Sequence, residues 1–176
     1  EKILEKCPRV NLTIMSTYNA LSVPNYHKLI EGVYGLKEKY GSSDRYWNSA
    51  VFLDSSYLRF PSHQTVQVLP NKWTKNIFEQ AQLADYLSIP SFEHKYIGYS
   101  DIEVQKIKRI WDWRMASWEQ KEEQVRQQRY NFGKFFKEHD NRRATDFCKT
   151  FPELADFYKK KEILLQAKGK LNLFKN

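Results

Sequence analysis

Between Asn11 and Leu36 the sequence reads NLTIMSTYNALSVPNYHKLIEGVYGL: an apolar extended run, a polar cluster, then an amphipathic helical pattern. Val10, Leu12 and Ile14 alternate as in a strand, and the unbroken run Leu12, Thr13, Ile14 and Met15 predicts burial on both faces, the habit of parallel strands. Ser22 and Pro24 are helix-start signals. Leu29, Ile30, Val33, Tyr34 and Leu36 then follow helical spacing to about Tyr40, and Gly41 closes the helix.

The alternation of helix and strand extends to either side of this stretch. Residues 1–7 read as the last turns of a helix, Ser49–Leu53 (SAVFL) as a second strand followed by Asp54, Ser55 and Ser56, and Thr65–Leu69 (TVQVL) as a shorter extended piece ending at Pro70. Helix end, strand, helix, strand and extended segment is the order of a parallel α/β sheet. In such sheets ligands gather beyond the carboxyl ends of the strands. Ser16, Thr17, Tyr18 and Asn19 are therefore expected on the same ligand-facing edge as Asp54, Ser55 and Ser56. The alternative, that both clusters are only strand-terminating turns, fits the spacing equally well.

Beyond Pro70 the pattern turns helical. Trp73, Ile77, Phe78, Ala81 and Leu83 share one side of a helix reaching about Leu87, and Ser100 with Glu103 forms a capping-box signature for the next. There Ile107, Ile110, Trp111, Arg114, Met115 and Trp118 recur at three- and four-residue steps, with Trp113 off the stripe. Trp111, Trp113 and Trp118 among Lys106, Lys108, Arg109 and Arg114 could stack on bases as in single-strand binders, but packing is the favoured reading. Residues 119–131 predict an exposed helix with pairs such as Glu122 and Arg126; Phe132, Phe135 and Phe136 restore an apolar face. Thr150 and Glu153 predict a capped final helix through Leu165, and the tail LNLFKN should fray. A boundary between Pro90 and Ser100 divides an α/β part, 1–90, from a basic helical part, 91–176.

Composition narrows the classes. The chain has 176 residues, 41% hydrophobic and 15% aromatic, too apolar for disorder. Its net charge of +8 is uneven: residues 1–100 carry 11 Lys and Arg against 9 Asp and Glu, and residues 101–176 carry 18 against 12. A basic C-terminal part makes nucleic acid a possible partner, although interspersed opposite charges more often mark an ordinary solvated face. Cys7 and Cys148 stand almost a chain length apart and the four histidines are scattered, so metal ligation by a local motif is not expected. The two thiols read as apolar fillers in a reducing compartment. No signal peptide or transmembrane run is legible, so a cytoplasmic protein with no membrane partner is expected.

One strand–helix–strand unit cannot by itself cover both faces and both edges of a parallel sheet. Either further chain or a complementary partner is expected to complete it. The blocks NLTIMSTYNALSVPNYHKLI, SAVFLDSSYLRFPSHQTVQVLP and FFKEHDNRRATDFCKTFPELADFY resemble corresponding blocks of twitch-domain radical SAM proteins, from about Val10 to Tyr158. The most specific are the VLP at Val68–Pro70 and the pattern of Asp140, Arg142, Arg143 and Phe151–Leu154.

The resemblance implies a partial (β/α)6 barrel, of which this chain would be the last strands, a half-barrel segment, followed by an α-helical extension. It also implies a [4Fe–4S] cluster and S-adenosylmethionine as cofactors in the complete enzyme, the cluster held by a CxxxCxxC loop. This sequence contains no CxxxCxxC, so a missing N-terminal cluster-binding segment is the implied partner. Ser16, Thr17, Tyr18, Asn19, Asp54, Ser55 and Ser56 would then bind the substrate or S-adenosylmethionine at the barrel mouth, with hydroxyls, an amide and a carboxylate suited to hydrogen bonding. Arg142 and Arg143 carry a phosphate-binding reading, because a guanidinium fork matches phosphate oxygens; an ion pair with Asp140, Asp146 or a neighbouring helix is their other reading. The competing function is a basic helical module that binds nucleic acid or protein without catalysis. No activated Ser/His/Asp set, phosphate loop or paired carboxylates support a stand-alone hydrolase or transferase.

Overall fold

Strands β1 (Leu12–Tyr18) and β2 (Val51–Tyr57) pair in parallel, Leu12 opposite Val51 and Tyr18 opposite Tyr57. Helix α2 (Tyr26–Tyr40) makes the crossover between them, preceded by α1 (Lys2–Lys6). The computed structural model describes residues 1–42, 49–88, 97–116 and 122–160. Three 3₁₀ turns, Ser62–Gln64, Val66–Val68 and Asn71–Trp73, lead into α3 (Thr74–Tyr86). Then come α4 (Asp101–Ala116), α5 (Glu122–Arg143), the short α6 (Phe147–Thr150) and a 3₁₀ turn at Pro152–Leu154 that continues helically over 155–160. Among the described residues the chain is mostly helical, with one two-stranded parallel sheet.

Both strands run further than expected. Ser16–Tyr18 and Asp54–Ser56 lie inside β1 and β2 rather than in turns after them, because the ladder continues until the Leu58 amide donates to the Tyr18 carbonyl. Polar side chains do not end a strand while its backbone still has a partner. Burial on both faces fails for β1: Thr13, Met15 and Thr17 are exposed, Met15 at 81%. The opposite face packs on helices, where Tyr18 sits edge-on to Tyr26 of α2 and its hydroxyl donates to Gln80 of α3.

Thr65–Leu69 is not an extended piece. Val66, Val68 and Leu69 are buried as a strand would bury them, but among the described residues no strand bonds their backbone. Two arginines do: Arg114 donates to the Val66, Gln67 and Leu69 carbonyls, and Arg129 to Val68 and Leu69. Arg114, read as part of an apolar stripe, is thus buried as a staple for this segment. Trp111 and Trp113 pack as favoured, against Phe78 at 4.9 Å and Tyr57 at 4.6 Å between ring centroids. Trp118 and residues 119–121 lie outside the described residues, as do the start of the Pro90–Ser100 boundary and everything after 160.

The Ser100 capping box forms, with the Ser100 amide donating to Glu103 at 2.8 Å. The Thr150 box does not. Thr150 turns its hydroxyl back to the Asp146 carbonyl, and Asp146 caps α6 by accepting from the Lys149 amide. The helices after residue 97 share one core with the sheet: Val104, Ile107 and Ile110 of α4 join Leu53, Ile30 and Ile77.

Within that core lies a charged pair. Lys37 of α2 and Glu103 of α4 are 0% and 1% exposed, with Nζ 3.0 Å from the carboxylate, whose Oε1 also accepts the Leu53 amide at 2.7 Å. Removing one member of such a pair leaves a buried charge uncompensated, which costs about 3–5 kcal/mol. Glu103→Gln is therefore expected to lower the unfolding free energy by about that amount in urea titration. Lys37→Met should cost less, because the carboxylate keeps its amide and hydroxyl donors.

Burial also raises the pKa of the Tyr18, Tyr26 and Tyr99 phenols above their ordinary value of 10.0. Such groups contribute stability that is complete below the unfolded pKa and is lost as pH rises. Lys37, its charge disfavoured mainly by burial, acts in the opposite sense, but the raised phenols, Tyr34 among them, outnumber it. Stability should fall above about pH 10, approaching about 1.4 kcal/mol per pH unit for each phenol. Tyr18→Phe should make the decline shallower in alkaline urea titrations.

Candidate functional site

In a parallel pair successive residues point to opposite faces. The Leu12 amide donates to Ala50, and the Tyr18 carbonyl accepts from Leu58, so even-numbered residues of β1 turn their backbone toward β2. Thr13, Met15 and Thr17 turn theirs to the outer edge, where among the described residues no strand pairs with it and Asn19 alone reaches the Thr17 carbonyl. Their side chains share one sheet face with Phe52, Asp54 and Ser56, by the register Thr13 to Phe52, Met15 to Asp54 and Thr17 to Ser56.

The seven residues singled out from the sequence divide accordingly. The two strand ends do lie side by side. Thr17, Asp54 and Ser56 occupy the open face. Ser16, Tyr18 and Ser55 occupy the helix-covered face, where Ser55 is 3% exposed and the Tyr26 hydroxyl lies 2.6 Å from its oxygen. Tyr18, 1% exposed, is committed to Gln80. Asn19 organises the turn after β1: its Oδ1 accepts the Leu21 amide and its Nδ2 donates to the Thr17 carbonyl. Strand alternation, which a turn reading ignores, is what separates them.

A cavity of about 360 Å³ opens beside the open-face residues, lined by Asp54, Ser56, Tyr57, Arg59, Lys106 and Arg109, with Ser55 beneath. Helix α4 runs along β2 and brings Lys106 Nζ to 2.7 Å from Asp54 Oδ1, while Lys106 also lies over the Phe52 ring. Arg59 lies over Tyr57 and donates to its hydroxyl at 2.9 Å. Tyr57 also stacks on Trp113. Arg109 has no hydrogen-bond or ion-pair partner among the described residues. Three cations face one carboxylate, so the site favours an anionic ligand or one with both an acidic and an amino group.

Arg59 is not singled out by the sequence, and Lys106 and Arg109 enter it only as cations among tryptophans that could stack on bases, not as neighbours of Asp54. The three-residue step from Lys106 to Arg109 is visible as a shared helix face, but only the packing of α4 on β2 assigns that face to Asp54. Arg142 and Arg143 lie elsewhere, at the end of α5. Arg142 pairs with Glu138 at 2.6 Å rather than with Asp140 or Asp146. Asp140 instead accepts the Thr145 hydroxyl and the Phe147 amide.

Cys7 is exposed rather than the buried apolar filler expected, Cys148 is half-buried, and no group of three or more His, Cys, Asp or Glu among the described residues is arranged to hold a metal ion. No described helix is long and apolar enough to cross a membrane. Compared with known proteins, the chain matches no family model, no curated protein and no solved structure.

Asp54 and Lys106 are 31% and 27% exposed, so their pair is partly screened and contributes little to folding. Asp54→Asn and Lys106→Met are each expected to change the unfolding free energy by less than about 1 kcal/mol. A larger loss in urea titration would make the pair structural rather than a ligand contact.

Proposed function

We propose that this chain is the C-terminal part of a radical S-adenosylmethionine enzyme, supplying the last strands of a partial barrel, a wall of its ligand chamber and a helical extension. The observation that carries the reading is the asymmetry of the sheet. Glu103 and α4 cover the outer edge of β2, while β1 leaves both its outer edge and one face open among the described residues. A parallel sheet finished on one side and open on the other invites a preceding strand to pair with β1. The open face would then become the inside of a barrel, lined by Thr17, Asp54 and Ser56 near the carboxyl ends of the strands.

The donor set divides in its fit to the cofactors. Two cysteines cannot provide the three thiolates of a [4Fe–4S] cluster motif, so the cluster belongs to another segment or subunit. Asp54 beside Lys106 and Arg109 suits a ligand carrying an ammonium and a carboxylate, as the amino-acid head of S-adenosylmethionine does. When bound, cluster and S-adenosylmethionine would supply reductive cleavage and a radical. This chain's residues would bind and orient: Asp54 accepts from an ammonium, Arg109 donates to a carboxylate, Thr17 and Ser56 offer hydroxyls, and Tyr57 walls off water.

The test is anaerobic isolation of the native assembly from its source and measurement of 5′-deoxyadenosine formed from S-adenosylmethionine under reduction. Formation of the product, with a CxxxCxxC-bearing segment in the same chain or complex, is the expected result. Met15→Pro removes an amide that no described residue uses and blocks strand pairing there. It should abolish product formation in the assembly while leaving the stability of this chain in urea within about 1 kcal/mol. An assembly without iron, or full activity in the Met15→Pro variant, would contradict the proposal.

A further inference from the structure

A second cavity, of about 540 Å³, lies away from the sheet between the last turns of α5 and the Ser62–Gln64 turn. Asn131, Lys134, Phe135, Glu138, His139 and Arg142 line it from α5, at the three- and four-residue steps that put them on one helix face. Arg143 joins them, and His63 forms the facing wall. That wall is anchored: Ser62 donates to Gln128 at 2.8 Å, and Arg129 holds the Val68 carbonyl at 2.7 Å.

The charge is strongly one-sided. Lys134, Arg142 and Arg143 face a single carboxylate, Glu138, which engages Arg142 alone. Lys134 and Arg143 have no partner among the described residues. The carbonyl end of α5 contributes only about half a negative charge, less than two unpaired cations. The cavity falls within the range of about 300–1,000 Å³ typical of small-molecule sites, too large for a lone inorganic anion.

The remaining lining is aromatic. Phe135 is 41% exposed, with the His63 ring at 5.3 Å and the His139 ring at 6.5 Å between centroids. His63 Nε2 is buried without a hydrogen-bond partner among the described residues. Burial lowers the His63 pKa, favouring the neutral ring, which can donate or accept at that nitrogen. Cationic forks match phosphate oxygens, and flat rings match a base.

We infer that this cavity binds a nucleoside diphosphate, with the phosphates on Lys134, Arg142 and Arg143 and the base against Phe135 and His63. The site is separate from the open face of the sheet and does not depend on the chemistry proposed there.

The experiment is calorimetric titration of the full chain with ADP, with adenosine and pyrophosphate as separate probes. ADP is expected to bind more tightly than either probe. The double variant Arg142→Ala, Arg143→Ala should weaken ADP by about tenfold or more. Phe135→Ala should weaken ADP while leaving pyrophosphate unchanged; the comparison of the three probes on the unaltered chain makes the same point should that variant fail to fold. No binding at millimolar ADP, ADP affinity unchanged in the double arginine variant, or pyrophosphate binding as tightly as ADP would each overturn the assignment.

Discussion

Glu103 holds one side of the sheet shut. Its two oxygens meet Lys37 Nζ, the Leu53 amide, the Ser100 amide and the Ser100 hydroxyl, at 2.7 to 3.0 Å. One side chain thereby caps the start of α4, neutralises the buried lysine of α2 and takes one of the backbone donors, the Leu53 amide, that β2 would otherwise offer to a further strand. A carboxylate and an ammonium this deeply buried persist only when each lone pair and proton is matched, and here Glu103 accepts four hydrogen bonds. The same contact disfavours growth past β2 and leaves β1 as the open edge among the described residues.

The candidate site grows from that start. Once α4 is capped through Glu103 and runs beside β2, Lys106 falls over Phe52 next to Asp54, and Trp113 stacks on Tyr57 near the strand's end. The residues stabilising the fold and those offered to a ligand are therefore consecutive turns of one helix. The division of labour is set by exposure: Glu103 at 1% is fully engaged, whereas Lys106 at 27% is reachable.

Much of this is legible in the sequence alone. The first helix crossover, the Ser100 capping box and the buried stripe of α4 can be read from periodicity, because 3.6-residue spacing and cap chemistry are local properties. The end of each strand is not legible. Ser16–Tyr18 and Asp54–Ser56 have turn-like composition, yet the two segments satisfy each other's backbone, a relation between residues about forty positions apart. Val66–Leu69 misleads for a similar reason, since its carbonyl partners are guanidinium groups of α4 and α5. Of the proposed site, Thr17, Asp54 and Ser56 can be found by type and position; Lys106 and Arg109 require knowing which face of α4 meets the sheet.

The most direct measurement of whether β1 is completed by another strand is amide hydrogen exchange at Thr13, Met15 and Thr17. It should be recorded in this chain alone and again in the native assembly. Fast exchange at these three amides is expected in the isolated chain and strong protection in the assembly, with Leu53 protected in both by Glu103. Equal exchange at Thr13, Met15 and Thr17 in the two states would contradict the completion of β1 by another strand.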